Sequence, residues 1–308
     1  MKEAGVICLP GKKLLDIVTA LKPADSSTVK VDAKRAAVIT CKKSRFRLGG
    51  NDPSVFPDIP AEPEDNIEFD AKLLLKAVER TLFLIRSLSE SRFSVKALLI
   101  ESKDSECAIV GTDGHRMASM VWTQEIPKMS ELIAAECATA MAATFDEEGT
   151  IAFAKDDNLL WFVQGDTFVV GRKYAGTFPD WRKVMTNNKS KHSLTLKTET
   201  FKDCLTRSMI CSQSTKDIPS AVRLDFGAGD LSLFGSDVNN GSESEETVEI
   251  KYEGKPFQAG FAGTYLTDVL SVIGTDDVKL SFVDGQSAFE FQPVPDDGYK
   301  YVVMPRRL

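Results

Sequence analysis

Asp113 and His115 stand two residues apart in the segment GTDGHRMA, and an Asp near a His is a pair that general acid–base chemistry can use. The surrounding residues argue for another role. No GxSxG or comparable nucleophile motif accompanies them, and Thr-Asp-Gly is a common turn in which Asp bonds nearby backbone and Gly takes positive φ. The pair therefore reads as a turn. Metal chemistry is equally poorly supported, because His115 and His192 are the only histidines and neither lies in an HExxH or HxH setting. The six cysteines (Cys8, Cys41, Cys107, Cys137, Cys204 and Cys211) form no CxxC pair, which suits reduced core thiols better than a disulfide framework or a zinc site. No catalytic residue, metal or cofactor is expected, and the chain does not read as an enzyme.

The elements that must position these residues follow one grammar. Five segments each open with a short alternating strand, continue into an amphipathic helix of about three turns, and end in strands separated by Gly, Asp or Asn turns. They open at GVICLPGKKLLDIVTAL from Gly5, NIEFDAKLLLKAVERTLFLI from Asn66, ELIAAECATAMAATF from Glu131, SLTLKTETFKDCLTRSMI from Ser193 and FQAGFAGTYLTDVLSVIG from Phe257, a repeat of about sixty residues. In the second helix Leu73, Leu74, Ala77 and Thr81 form the stripe that faces a sheet, with Asp70 as N-cap. In the fourth, Thr198 is expected to cap, and Phe201, Leu205 and Ile210 to supply the apolar side. KALLIES, ECAIVGT, NLLWFVQ, TFVVGRK, AVRLDFG, DLSLFGS, VKLSFVD and AFEFQPV read as antiparallel strands joined by tight turns. The fold class is α+β: repeated strand-helix-strand units with antiparallel sheets backed by one helix per unit.

With 308 residues, 43% hydrophobic and 27% charged, the chain has the composition of a globular protein of two or three domains. No apolar run reaches the ~20 residues that cross a bilayer, and the first residues lack a secretory signal, so a cytoplasmic location is expected. The net charge of -7 argues against holding nucleic acid by bulk positive charge. Topological enclosure escapes that argument, since it needs only a weakly basic inner surface.

A longer period lies over the first. FPDIP at 56–60 closes the first repeat and FPDW at 178–181 the third, while GTDGHR and GSDVNN occupy equivalent places in the second and fourth. Repeats two and three, and four and five, therefore pair into domains, expected at 65–190 and 191–308. Residues 1–64 are the second half of a domain whose first half is absent, so the chain reads as truncated at its N-terminus. MTNNKSKH at 185–192 and AEPEDN at 61–66 read as linkers, and GSESEE at 241–246 as a solvated turn.

The ordered set FPDIP, GTDGHRMA, GRKYAGTFPDWRKV at 171–184, FAGTYLTDVL at 261–270 and YKYVVMPRRL at 299–308 resembles the bacterial DNA polymerase III beta subunit, or sliding-clamp, family, over essentially the whole chain. The family has six repeats; this chain has five. The resemblance implies a DNA-clamp fold, a processivity factor of DNA replication and a head-to-tail homodimeric ring around duplex DNA, bound without sequence preference. It also implies that polymerase and clamp-loader subunits insert short linear peptides into a pocket between domains two and three. Carried over, that pocket comprises Val95, Thr112, Gly114, His115, Arg116, Met117, Pro179, Val184, Val302, Val303, Met304, Pro305 and Arg306. Ordinary core is the alternative for Val95, Val184 and Val302. DNA-facing cations are Lys12, Lys13, Lys72, Lys76, Arg80, Arg92, Lys202 and Arg207, each of which also fits a solvated helix face. The dimer contact is Lys13, Ile17, Leu21, Phe46 and Leu48 against Ile210 and Cys211.

Two features depart from the family pattern. Arg306 stands where the family tail has an apolar residue, and AAECATAMAATF offers no Lys or Arg to DNA. The competing reading is a truncated clamp-like protein that binds clamp partners without encircling DNA, as a competitor or decoy.

Overall fold

The structure, a computed structural model, describes residues 5–22, 26–57, 60–61, 63–86, 95–186, 190–212 and 220–306. Arg92 and residues 187–189 of the 185–192 linker lie outside the described residues. Contacts divide the chain into two compact units, Met1–Ala61 and Glu62–Leu308.

The first unit runs through helix α1 (Gly11–Ala20) and strands β1 (Thr28–Val31), β2 (Ala36–Cys41) and β3 (Ser44–Gly49), which form one antiparallel sheet in that order. Asp32 stabilises the turn before β2 by accepting the amides of Lys34 and Ala36, both at 2.9 Å. Among the described residues of this unit, burial is confined to the sheet, at Ala36, Ala37, Ile39, Cys41 and Leu48. No residue of α1 is buried. Leu14, Ile17 and Leu21 are half-buried, whereas Leu15 and Val18 are 65% and 56% exposed, so the helix carries a second apolar stripe in solvent.

The second unit holds four repeats of one plan. The first is β4 (Asn66–Asp70), α2 (Ala71–Arg86), β5 (Ala97–Lys103), β6 (Glu106–Thr112) and β7 (Arg116–Thr123). Next come β8 (Met129–Ala134), α3 (Ala135–Thr144), β9 (Thr150–Lys155), β10 (Leu159–Gln164) and β11 (Thr167–Arg172), followed by the short α4 (Trp181–Thr186). Then follow β12 (His192–Lys197), α5 (Thr198–Ile210), β13 (Ala221–Phe226), β14 (Asp230–Asp237) and β15 (Ser242–Glu249). The last repeat is β16 (Phe257–Ala262), α6 (Gly263–Val272), β17 (Asp277–Phe282), β18 (Phe289–Val294) and β19 (Tyr299–Val303).

The repeats interlock by exchanging strands. Each pre-helix strand leaves its own repeat and pairs antiparallel with the first post-helix strand of a neighbour: β4 with β9, β8 with β5, β12 with β17 and β16 with β13. Two four-stranded sheets, β11-β10-β9-β4 and β15-β14-β13-β16, result, together with an eight-stranded sheet β12-β17-β18-β19-β7-β6-β5-β8. The seam of that large sheet is the β19–β7 pair, with Val302 opposite Met117 and Val303 opposite Arg116. Helix α2 packs on α3 and α5 on α6. The main core lies between these helices and the sheets, and includes Phe226, Phe257, Phe282 and Phe289 in mutual ring contact.

Local chemistry explains most element boundaries. Asp70 accepts the Leu73 amide at 2.9 Å, as an N-cap does, and Leu74, Ala77 and Thr81 are fully buried below it. Three expectations need correction. Thr198 is the first residue of α5 rather than its cap, and its buried hydroxyl has no partner among the described residues. Ile210 is 78% exposed, because it follows Met209 at the last turn and points away from the stripe that buries Phe201 and Leu205. Residues 241–246 are not a solvated turn: Ser242–Glu249 form β15, pairing with all eight residues of β14 from Asp237 to Asp230. Alternation of Ser, Glu and Thr hides a strand whose outer face needs no apolar residue.

Candidate peptide-binding cleft

The strand seam creates a concavity at one end of β7 and β19. A cavity of about 540 Å³ is lined by Thr112, Gly114, His115, Arg116, Met117, Pro179, Val184, Val283, Ser287, Ala288, Val302 and Met304. Its size and its mixture of apolar walls with a few polar groups are those of a ligand-binding pocket.

The turn entering β7 is held by its own side chains. Gly114 adopts φ +89°, the Thr112 hydroxyl donates to the Arg116 carbonyl at 2.8 Å, and the Asp113 carboxylate accepts the amides of His115 (2.9 Å) and Arg116 (3.0 Å). Asp113 also takes the Arg116 Nε at 2.8 Å. This accounts for the carboxylate as a turn fastener. His115 instead lies near the Tyr265 ring, at 6.4 Å between centroids, so the two residues do not form a dyad.

Arg116 lines the cleft, but its side chain is 3% exposed and its guanidinium is occupied: Nη1 donates to Asp268 on α6 at 2.7 Å, and the group lies 4.1 Å over Tyr265 and 5.3 Å over Phe83. Burial opposes its charge, yet Tyr301, Asp113 and Asp268 outweigh burial and hold its pKa above the ordinary value. Burial pushes the Tyr301 phenol up, and its hydroxyl donates to the Tyr265 carbonyl at 2.8 Å. Arg116 thus ties the cleft wall to α6.

The opposite walls come from less obvious places. Val184 and Pro179 stand on α4 and the strap before it, over a small core of Leu99, Met117, Leu132, Trp181, Met185 and Val302. Val283, Ser287 and Ala288, which the sequence reading missed, belong to the β17–β18 connection. Asp284 locks that loop by accepting the amides of Gln286 and Ser287 (both 2.9 Å) and the Ser287 hydroxyl (2.8 Å). A side chain at Gly285 would collide with the Gln258 carbonyl, so the loop lies close against β16.

Four carried-over pocket residues do not line this cavity. Val95 is half-buried against the small core below it, and Val303, on the other face of β19, is fully buried in the main core. Pro305 and Arg306 lie past Met304, where the Arg306 amide donates to Gly260 on β16 at 2.7 Å. The Met304 amide meets the His115 carbonyl at 3.1 Å, fixing the tail across the cleft.

The basic residues are divided. Lys12, Lys13 and Lys72 are exposed and Lys202 is half-buried. Lys76 and Arg80 converge on Asp297 at 2.7 and 2.6 Å, and Arg80, 11% exposed, also donates to the Ile273 carbonyl at 2.8 Å. Arg80 is therefore an internal tie between α2, α6 and the β18–β19 turn rather than an outward-facing cation. Arg207 forms a two-point pair with Glu246 at 2.8 and 2.7 Å. A groove of about 470 Å³ beside these residues is lined by Lys72, Lys76, Glu79, Arg80, Glu147, Ser271 and Val272. Of the residues assigned to a dimer contact, Leu48 is buried, Ile17, Leu21, Phe46 and Cys211 are half-buried, and Lys13 and Ile210 are exposed. Among the described residues, no cluster suits a metal ion and no helix is long and apolar enough to cross a membrane.

Comparison with known proteins identifies the lineage. The family profile "DNA polymerase III beta subunit, C-terminal domain" matches residues 182–307, and "DNA polymerase III beta subunit, N-terminal domain" matches 1–60. The "Beta sliding clamp" of Proteus mirabilis is 28% identical over 312 residues, covering 99% of this chain and 83% of its own length. That of Escherichia coli K12 is 25% identical over 311 residues with the same coverage. A crystal structure of the DNA polymerase sliding clamp from Pseudomonas aeruginosa superimposes with a TM-score of 0.87 at 25% identity, covering 99% of this chain and 83% of that one. The two profiles together span more than half of the chain, and the relatives and the fold agree with them from end to end, so this chain belongs to the bacterial DNA polymerase III beta subunit family, the sliding clamps that confer processivity on DNA replication.

Proposed function

We propose that the chain tethers replication proteins to duplex DNA by enclosing the duplex and presenting the β7–β19 cleft to short linear peptides of polymerase and clamp-loader subunits. The observation that carries this reading is the cleft itself, whose Met117, Pro179, Val184, Val302 and Met304 form an apolar trough rimmed by His115 and Thr112. Such a trough suits a peptide with one or two large aliphatic or aromatic anchors. The role is non-catalytic: processivity arises because a tethered polymerase rebinds at high effective concentration. The division of residues 65–308 at 190/191 into two domains belongs to the same reading, since the cleft would then lie where they meet.

Self-association in a head-to-tail ring is supported by two exposed sheet edges of opposite charge. Strand β3, at one edge of its sheet, carries Arg45 and Arg47 with Lys42 and Lys43 before it; β15, at the edge of another, carries Glu243, Glu245 and Glu249. Pairing the edge of one copy with that of the next would satisfy backbone groups and match charge.

Fluorescence anisotropy with a labelled peptide bearing Leu and Phe anchors tests the cleft. Deleting residues 304–308 should weaken binding about tenfold or more, because anchors carry most of such affinity. The circular-dichroism spectra of both proteins should coincide, so that the lost affinity is not a lost fold. Arg306→Met should strengthen binding if that side chain overhangs the trough and weaken it if the arginine pairs with an acidic peptide residue. Equal affinity for all three proteins would remove the peptide assignment.

A further inference from the structure

The outer face of the eight-stranded sheet changes character along a single rung. Outward from the cleft, the register sets Met117 on β7 beside Val302 on β19, Val302 beside Glu290 on β18, Glu290 beside Ser281 on β17, and Ser281 beside Ser193 on β12. All five lie on the face opposite the main core, because their chain neighbours Ala118, Val303, Phe291, Phe282 and Leu194 are buried in that core. Over the β5–β8 half, α4 and its strap roof this face and enclose the small core to which Met117 and Val302 belong. Over β12 and β17 the roof is gone, and Ser193, Thr195 and Lys279 are exposed. The apolar trough therefore opens on one side along a polar rung.

Glu290 is the first residue on that rung. Its residue is 8% exposed and the neighbouring Ser281 5%, yet neither makes a hydrogen bond or an ion pair among the described residues. A buried carboxylate without a donor is costly, so an unsatisfied one calls for an explanation. Burial pushes the Glu290 carboxyl above its ordinary value and Asp296 adds to that push, against the pull of Lys300 and Lys279. Those two lysines stand two residues along β19 and β17 from Val302 and Ser281, one rung farther from the cleft, and neither closes an ion pair with Glu290. Its nearer surroundings are the cleft wall itself: Val302 is directly across, and Ala288, two residues earlier on the same face, lines the cleft too.

We propose that Glu290 is a specificity-determining residue of the cleft, the acceptor for a lysine or arginine that a bound peptide carries beside its apolar anchors. The inference rests on the peptide reading of the trough and names a chemistry for one flank of that peptide. Neighbouring strands are about 4.8 Å apart and an extended chain advances about 3.3 Å per residue, so a side chain one or two positions from an anchor seated on Met117 and Val302 reaches Glu290. An ammonium or guanidinium arriving there supplies the donors and the counter-charge that the fold withholds. An acidic residue at the same position meets a carboxylate already short of donors, so the carboxylate also selects against the wrong peptide.

Anisotropy on the full chain tests this with labelled peptides bearing Leu and Phe anchors, in which each of the two positions on either side of the anchors is norleucine, lysine or glutamate in turn. At one of these positions lysine should bind wild type about tenfold more tightly than norleucine, and glutamate more weakly than either. Glu290→Gln keeps the shape and removes the charge. It should bind the norleucine peptide as wild type does and lose the lysine preference to within about twofold, with an unchanged circular-dichroism spectrum. A side chain that merely completes the sheet would not move that preference, and the comparison among peptides on wild type stands without the variant. Equal binding of lysine and norleucine peptides at all positions, or a lysine preference that Glu290→Gln retains, would overturn the inference and leave the trough in place. Failure of every peptide to bind wild type would overturn the peptide reading and this inference together.

Discussion

Arg116 shows how one side chain serves a site without touching what binds there. Asp268→Asn should cost about 1 kcal/mol of stability, the low end for a charged hydrogen bond because this carboxylate is 41% exposed. The same change should reduce affinity for an anchor peptide several-fold, since it frees the wall that carries His115; urea unfolding and anisotropy read the two effects. Asp297 sets a pH dependence. Burial raises its carboxyl, but the bonds and charges of Lys76 and Arg80 win and hold it below the ordinary value. A folded pKa below the unfolded one stabilises the protein above the ordinary carboxylate range, and that contribution is lost as the pH falls from about 4 through the depressed folded value. Asp297→Asn should therefore be less stable than wild type at pH 7, and the difference should shrink as the pH is lowered below about 4, as measured by urea midpoints. At this scale the sequence was half legible. Thr112, Gly114, His115 and Met117 stand on one strand and its turn, so a motif can carry them together; Val283 and Ala288 reach the cleft only through the packing of a hairpin loop against β16, which no local pattern encodes. Val303 fails for the converse reason, because adjacent residues of a strand face opposite sides.

Elements divide in the same way. Helix α2 could be read from its stripe and its Asp70 cap, and the Val-, Leu- and Phe-rich strands from alternation, because each signal resides in neighbouring residues. Strand β15 could not: with Ser, Glu and Thr its partner β14 rather than its own hydrophobicity makes it a strand. Its charge then predicts behaviour at the edge. Glu243→Lys, Glu245→Lys should weaken the proposed head-to-tail association about tenfold at low salt and much less at 1 M salt, where the Debye length is ~3 Å, while the monomer melts unchanged. Sedimentation at two salt concentrations measures it. Helix α5 offers a cleaner case. Thr198 is 3% exposed and its hydroxyl is unpartnered among the described residues, so Thr198→Val should leave stability unchanged or raise it by up to about 1 kcal/mol in a thermal melt. A loss of more than that would reveal a partner for the hydroxyl.

For the whole molecule, the net charge of -7, the internal use of Arg80 and the pairing of the surface Arg207 with Glu246 make tight binding to open-ended duplex unexpected. Retention on nicked circular DNA that vanishes on linearisation is the expected outcome of a gel-filtration assay, whereas equal loss from both would favour a protein that engages clamp partners without enclosing DNA. The strand exchange also governs how the chain comes into being. As it leaves the ribosome, Asn66–Asp70 has no neighbour until Thr150–Lys155 has been made, and His192–Lys197 waits for Asp277–Phe282. No repeat can finish alone, so each pair must close late and together through contacts distant in sequence, a slow route that leaves sheet edges open during synthesis. The residues that suppress mispairing in that interval, charged edges such as β15 among them, answer to the nascent chain as much as to the finished protein.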